Sequence, residues 1–196
     1  MKPCYRHALM MVMCLSLFAA SVGIAAELPP NTTKDEDISA VALTKATEQF
    51  AALRMSLEAQ AADESLPPDQ KEMITQMLAV IDEKLQNLAS IEVYFVQEDE
   101  AGAAYDDVRA FYKDKLSNFM DVGSEEIQFA LMEAPLPPDA MPQATLDALN
   151  QMAADGKARA AIGNSGKSRI SILTFYLNPN TLELIQKTTV VVATNK

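Results

Sequence analysis

Four basic side chains, Lys157, Arg159, Lys167 and Arg169, flank one Gly-rich turn in a 196-residue chain whose formal net charge is −11. If the segments on either side of that turn pair as a hairpin, the four could gather at one sheet edge or tip and attract an anion. The plainer reading is edge protection, because Lys on a sheet edge blunts strand-to-strand aggregation. No aromatic or glycine cradle accompanies the charges, which favours that plainer reading. The four residues are nonetheless the candidate anion or partner patch.

The same stretch, Ala161-Ile-Gly-Asn-Ser-Gly-Lys167-Ser168, resembles the P-loop pattern. A P-loop works by joining a buried strand to a helix N-terminus, where backbone N–H groups cradle phosphate. Here Arg169 to Tyr176 reads as strand, and no buried strand precedes the glycines. A hairpin turn is therefore expected, and no nucleotide partner.

Carboxylates are the most abundant reactive groups. Asp35–Asp37 and Asp106–Asp107 fall in first helical turns, where negative charge suits the macrodipole. Glu98–Glu100 is left as a Ca²⁺ candidate, although no acidic run has EF-hand spacing and a solvated turn is the expected reading. Two carboxylates in one cleft suffice for glycoside hydrolysis. Glu92 and Glu183 are the acids with the most apolar neighbours, yet each fits the solvent face of a half-buried strand. Tyr94, Tyr105, Tyr112 and Tyr176 are candidates for lining a pocket, with core packing the expected role.

What the chain lacks depends on its first residues. Lys2, Arg6 and His7 precede an apolar run from Ala8 to Phe18, followed by small residues up to Ala26. A basic start, an apolar centre and a small-residue end make a secretory signal peptide. Small residues at Gly23 and Ala25 place the cut after Ala25, with Ala26 as the alternative. The rivals are an uncut anchor, because Ala8–Ala26 is uncharged and long enough to cross a bilayer, and lipidation at Cys14.

Cleavage removes Cys4, Cys14 and His7, the only cysteines and the only histidine. Ser-His-Asp and Cys-His catalysis then have no base. Zinc, haem, Fe–S and copper sites lose their ligands, and no disulfide forms. No cofactor and no metal are therefore expected. Nucleic acid is disfavoured as a partner, because the acidic chain repels phosphate and has no basic stripe.

The elements that must position these residues follow from apolar spacing. Ile38, Ala42, Ala46, Phe50, Leu53 and Leu57 recur at steps of three and four and predict a helix over 35–62, with Thr33 and Glu36 as a capping box. Met73, Ile74, Met77, Val80, Ile81, Leu85 and Leu88 predict a second helix to 89, opened by Asp69. A short Pro-rich connection makes the pair an antiparallel hairpin. Alternation predicts a strand over 91–97, helical spacing a helix over 104–120, and alternation again a strand over 125–133. Pro142 opens a short helix to Ala154. Strands are expected over 157–162, 169–177 and 182–194, the last two forming a hairpin around Asn178–Thr181.

The segment Ile91-Glu-Val-Tyr-Phe-Val96, an acidic turn, and Tyr105-Asp-Asp-Val-Arg-Ala-Phe-Tyr-Lys-Asp-Lys-Leu116 resembles a unit of small exported bacterial α+β domains of unknown function. The resemblance implies a strand leading to a packed helix and then strands, and carries no site.

The expected fold class is α+β: a helical hairpin packed with a small mixed sheet, made of a strand-helix-strand unit and a C-terminal β-hairpin. The expected division is leader 1–25, flexible lead 26–36, helical hairpin 37–90 and sheet domain 91–196, the last two forming one unit. The expected function is that of an exported, non-catalytic binding or accessory protein of the bacterial envelope. Its expected place is the periplasm, with secretion or anchoring through the leader as alternatives. A carboxylate-dependent hydrolase is the first functional alternative. The second is a docking or oligomerisation module that uses Met55, Met73 and Met77 as an adaptable surface.

Overall fold

A computed structural model describes residues 27–63, 65–127 and 142–196. The leader, including Cys4, Cys14, Ala25 and Ala26, lies outside the described residues.

The chain enters as an edge strand, β1 (Thr32–Lys34), so part of the lead expected over 26–36 is sheet. Asp35 then caps α1 (Glu36–Ala61), its carboxylate accepting from the Ile38 N–H at 2.8 Å. The cap is therefore two residues later than the sequence spacing suggests. Thr33 is occupied in the β1 ladder opposite Phe95. Pro67 and Pro68 stop the connection and open α2 (Pro68–Asn87), where a missing N–H at the first helical position costs nothing. Asp69 falls inside the first turn rather than at the cap.

The two helices form the expected antiparallel hairpin. Phe50 and Leu57 face Ile74 and Ile81 in a buried row, and Arg54 spans from Glu58 (2.8 Å) to Asp82 (2.7 Å). At 26 residues α1 is about 39 Å long. Its first half, with Ile38 and Ala42, packs on the sheet, and its second half packs with α2. No loop follows α2: at Leu88 the backbone turns extended and continues as β2 (Leu88–Val96).

The other described elements are α3 (Tyr105–Lys113), β3 (Ser117–Val122), α4 (Gln143–Ala154), β4 (Ala160–Ser165), β5 (Ser168–Leu173), β6 (Tyr176–Leu177), β7 (Leu184–Ile185) and β8 (Thr189–Asn195). The fold class is α+β. The main sheet has the order β1-β2-β8-β5-β4-β3. Among the described residues every pairing in this sheet is antiparallel, so it is not the mixed sheet expected.

Its centre is buried on both faces. Val190 and Val192 join Ile170, Ile172 and Ala161 under Tyr105, Val108 and Tyr112 of α3. Val191 and Ala193, the alternate residues, join Ile91 and Val93 under α1. This period-two division explains why β8 reads as an unbroken Val run.

The strand expected over 125–133 does not begin at 125, and most of its span lies outside the described residues. Helix α3 stops at Lys113 rather than 120, and the strand is 117–122, bulged where Asn118 adopts φ 51°. Residues 124–127 are helical, and 128–133 lie outside the described residues. Leu116 satisfies the helical apolar spacing yet reaches the same cluster from outside the helix, seated over Gly163. A Cβ at Gly163 would stand 2.7 Å from that of Leu116, so the close approach requires glycine.

The C-terminal hairpin is present. β5 and β8 pair from Ser168↔Thr194 to Leu173↔Thr189, and β6 and β7 continue it. The Asn178 side chain accepts from the Asn180 N–H at 2.9 Å and shapes the turn. Lys196 closes the fold, its N–H and Nζ donating to the Asn87 and Gln86 carbonyls at the end of α2.

Candidate functional site

The hairpin geometry separates the four basic residues. Ser165 pairs with Ser168 around the Gly166–Lys167 turn, so the P-loop-like stretch is a β-hairpin. Lys167 stands at that tip, with Arg169 beside it in β5. Lys157 and Arg159 lie beyond the opposite end of β4, whose six residues span about 20 Å. The charges are close in sequence, but Arg159 comes to lie beside Thr174 rather than Arg169. Each end also has its own surroundings. Lys157 reaches Asp155 at 3.5 Å, and Arg169 is half-buried, its guanidinium pushed down to about 10 by burial.

Arg159 instead contributes to a cleft that sequence spacing does not reveal. The first turns of α3 supply Tyr105, Asp106 and Arg109. The end of β3 and the residue after it supply Asp121, Val122 and Gly123, and the start of β4 supplies Ala160 beside Arg159. Together they line an open cleft of about 330 Å³. Two bidentate ion pairs cross it. Arg159 Nη1 and Nη2 donate to Asp106 Oδ1 and Oδ2 at 3.0 and 3.1 Å. Arg109 Nε donates to Asp121 Oδ1 at 2.6 Å, and its Nη2 donates to Oδ2. The Arg159 guanidinium also lies 4.4 Å from the Tyr105 ring centroid, and that of Arg109 lies 5.8 Å from the Phe119 ring centroid.

These contacts set the electrostatics. Hydrogen bonds from Arg109 hold Asp121 below the usual carboxylate range against the opposing effect of burial. Tyr105 is pushed up to about 12, first by burial and then by Asp121, while Arg159 and Arg109 oppose the rise. All four charges therefore act on one phenol. Each guanidinium commits two of its five N–H donors, and each carboxylate keeps free lone pairs. The cleft can both donate to and accept from a small polar ligand. It joins three elements because Asp106, read from sequence as a macrodipole acid, faces a strand more than fifty residues later. The tyrosine, acid and arginine at 105, 106 and 109 were the only local signal.

The other candidates have structural partners. Glu92 pairs with Lys34 at 3.0 Å and accepts from the Tyr94 hydroxyl at 3.1 Å. Glu183 accepts from the Thr181 hydroxyl at 3.1 Å within the turn. Tyr94 and Tyr112 pack in the α3 cluster, and Tyr176 meets Phe95 edge-on at 6.2 Å.

Within Glu98–Glu100 the central residue is not solvated. Asp99 is 5% exposed and accepts from the N–H groups of Ala104, at 2.9 Å, and Thr188. Burial raises its pKa, but these donors outweigh it and leave the group below its ordinary value. Asp99 ties the loop before α3 to the strand entry at β8.

Among the described residues no group of three or more His, Cys, Asp or Glu side chains could hold a metal ion. No helix among them is long and apolar enough to cross a membrane. Comparison with protein-family models, curated proteins and solved structures gives no match.

Proposed function

We propose that the chain is an exported bacterial-envelope protein that acts by binding, with the cleft between α3, β3 and β4 as its ligand surface. One observation carries the reading: Arg109, Arg159, Asp106 and Asp121 converge around Tyr105 from three separate elements. Asp121, held below the usual carboxylate range by Arg109, does not suit the general-acid role in a carboxylate-dependent hydrolase. Ionised, paired groups with spare donors and acceptors suit recognition. Export rests on the basic, apolar and small-residue order of the leader.

Two measurements test the proposal. Mass spectrometry of the protein recovered from the cell envelope gives an N-terminus at Ala26 or Glu27. Recovery from the cytosol with Met1 retained overturns export. For the cleft, ¹H–¹⁵N NMR spectra recorded with a library of small charged solutes give shifts clustered at 105–109, 121–123 and 159–160. Shifts confined to other surfaces, or turnover of a solute, overturn the assignment.

A further inference from the structure

Resting on that reading, we propose that the cleft takes a small zwitterion, a free neutral α-amino acid or a molecule of the same charge pattern. The argument is one of charge conservation. The cleft holds two cations and two anions, already matched in pairs. A lone anion that takes the Arg159 fork displaces Asp106 and adds negative charge beside it, in a chain whose net charge is already −11. A lone cation arriving at Asp106 would leave Arg159 unmatched. A zwitterion inserts into the pair instead. Its carboxylate takes the Arg159 fork, a planar match for bidentate hydrogen bonding, and its ammonium takes Asp106. No charge is left without a partner.

The pair most easily opened is the one this insertion requires. The Asp106 side chain is 70% exposed, so its bond to Arg159 is worth little and opens at small cost when an ammonium is at hand to take the carboxylate. The Arg109–Asp121 pair is less exposed on its acidic side and remains as the fixed second dipole. Val122, Gly123, Ala160 and the Tyr105 ring supply apolar lining for a short side chain. A volume of about 330 Å³ lies at the small end of ligand pockets, in keeping with an occupant of this size.

The test titrates the protein, expressed from its full sequence, with three forms of one molecule while ¹H–¹⁵N NMR shifts are followed. L-valine carries both charges, N-acetyl-L-valine only the carboxylate, and L-valine methyl ester only the ammonium. The expected result is saturable shifts at 105–109 and 159–160 with L-valine, and binding of each derivative weaker by about two- to fivefold, the scale of an exposed ion pair. Arg159→Gln abolishes the L-valine shifts. Asp106→Asn, at a position 70% exposed, removes the preference for L-valine over N-acetyl-L-valine. Equal binding of N-acetyl-L-valine by the unaltered protein, or a preference that survives Asp106→Asn, overturns the zwitterion while leaving the cleft as a binding site. Absence of shifts with all three forms overturns the amino-acid proposal, while the solute library decides the cleft separately.

Discussion

The sheet and the distal half of the helical hairpin use similar aliphatic residues and bury them in different ways. In β8 four consecutive residues, Val190 to Ala193, are all buried, because the strand sends alternate side chains to two helix-covered faces. In α1 and α2 one row is buried, with Phe50, Leu57, Ile74 and Ile81 at its centre, and Met55 and Met73 remain 64% and 48% exposed. A residue lost from the sheet loosens contacts with strands and a helix together. A residue lost from the hairpin loosens two helices whose partly exposed neighbours can close the gap. The comparison teaches that cohesion resides in the sheet, and that the hairpin is an arm attached through the first half of α1 and through β2.

The largest expected effect tests this directly. Ile172→Ala removes a fully buried side chain between β5 and α3 and is expected to cost about 3–5 kcal/mol, the upper part of the range for such truncations. Ile74→Ala in the hairpin is expected near the lower end, about 2–3 kcal/mol, because its surroundings can collapse. Urea unfolding measures both. Equal costs would remove the distinction between core and arm.

Asp99 sharpens the same contrast from the polar side. Asp99→Ala leaves the part-buried N–H of Ala104 and the buried N–H of Thr188 without their acceptor and is expected to cost about 1–3 kcal/mol. Asp99→Asn, which keeps a carbonyl acceptor, costs less. The folded pKa is lowered, so the carboxylate's contribution is complete above the unfolded value of about 3.9 and is lost as pH falls through the lower folded value. Acid titration of stability therefore shows a component that Asp99→Asn lacks. Next in size, Gly163→Ala forces a Cβ against Leu116 and is expected to cost about 1–3 kcal/mol by overpacking, read as a lower urea midpoint.

The sequence makes legible those elements whose period is governed by one face. Residues 38–57 and 74–88 repeat at helical spacing because a single stripe is buried, and the hairpin follows. Asn178 and its neighbours announce the C-terminal turn. The boundary after α3 is hidden, because Leu116 continues the helical stripe in sequence while packing from outside the helix. The cleft is hidden for another reason: Asp106, Asp121 and Arg159 meet through strand order, and the antiparallel pairing of β3 with β4 has no local signature. The basic cluster misleads by the same logic, since a strand-length separation along a hairpin carries charges to opposite ends.

The smallest expected effect is the one that defines the arm. Met55 and Met73 are large apolar side chains left in solvent on α1 and α2. Replacing both with Gln removes no buried contact and keeps good helix formers at both positions. Stability should therefore change by less than about 0.5 kcal/mol, the usual range for surface positions away from caps and cores. Urea unfolding of Met55→Gln/Met73→Gln beside Ile74→Ala places an exposed and a buried change on the same pair of helices. A loss from the methionine pair approaching that of Ile74→Ala would mean that these side chains are covered in solution. The hairpin would then be an interface rather than a free arm.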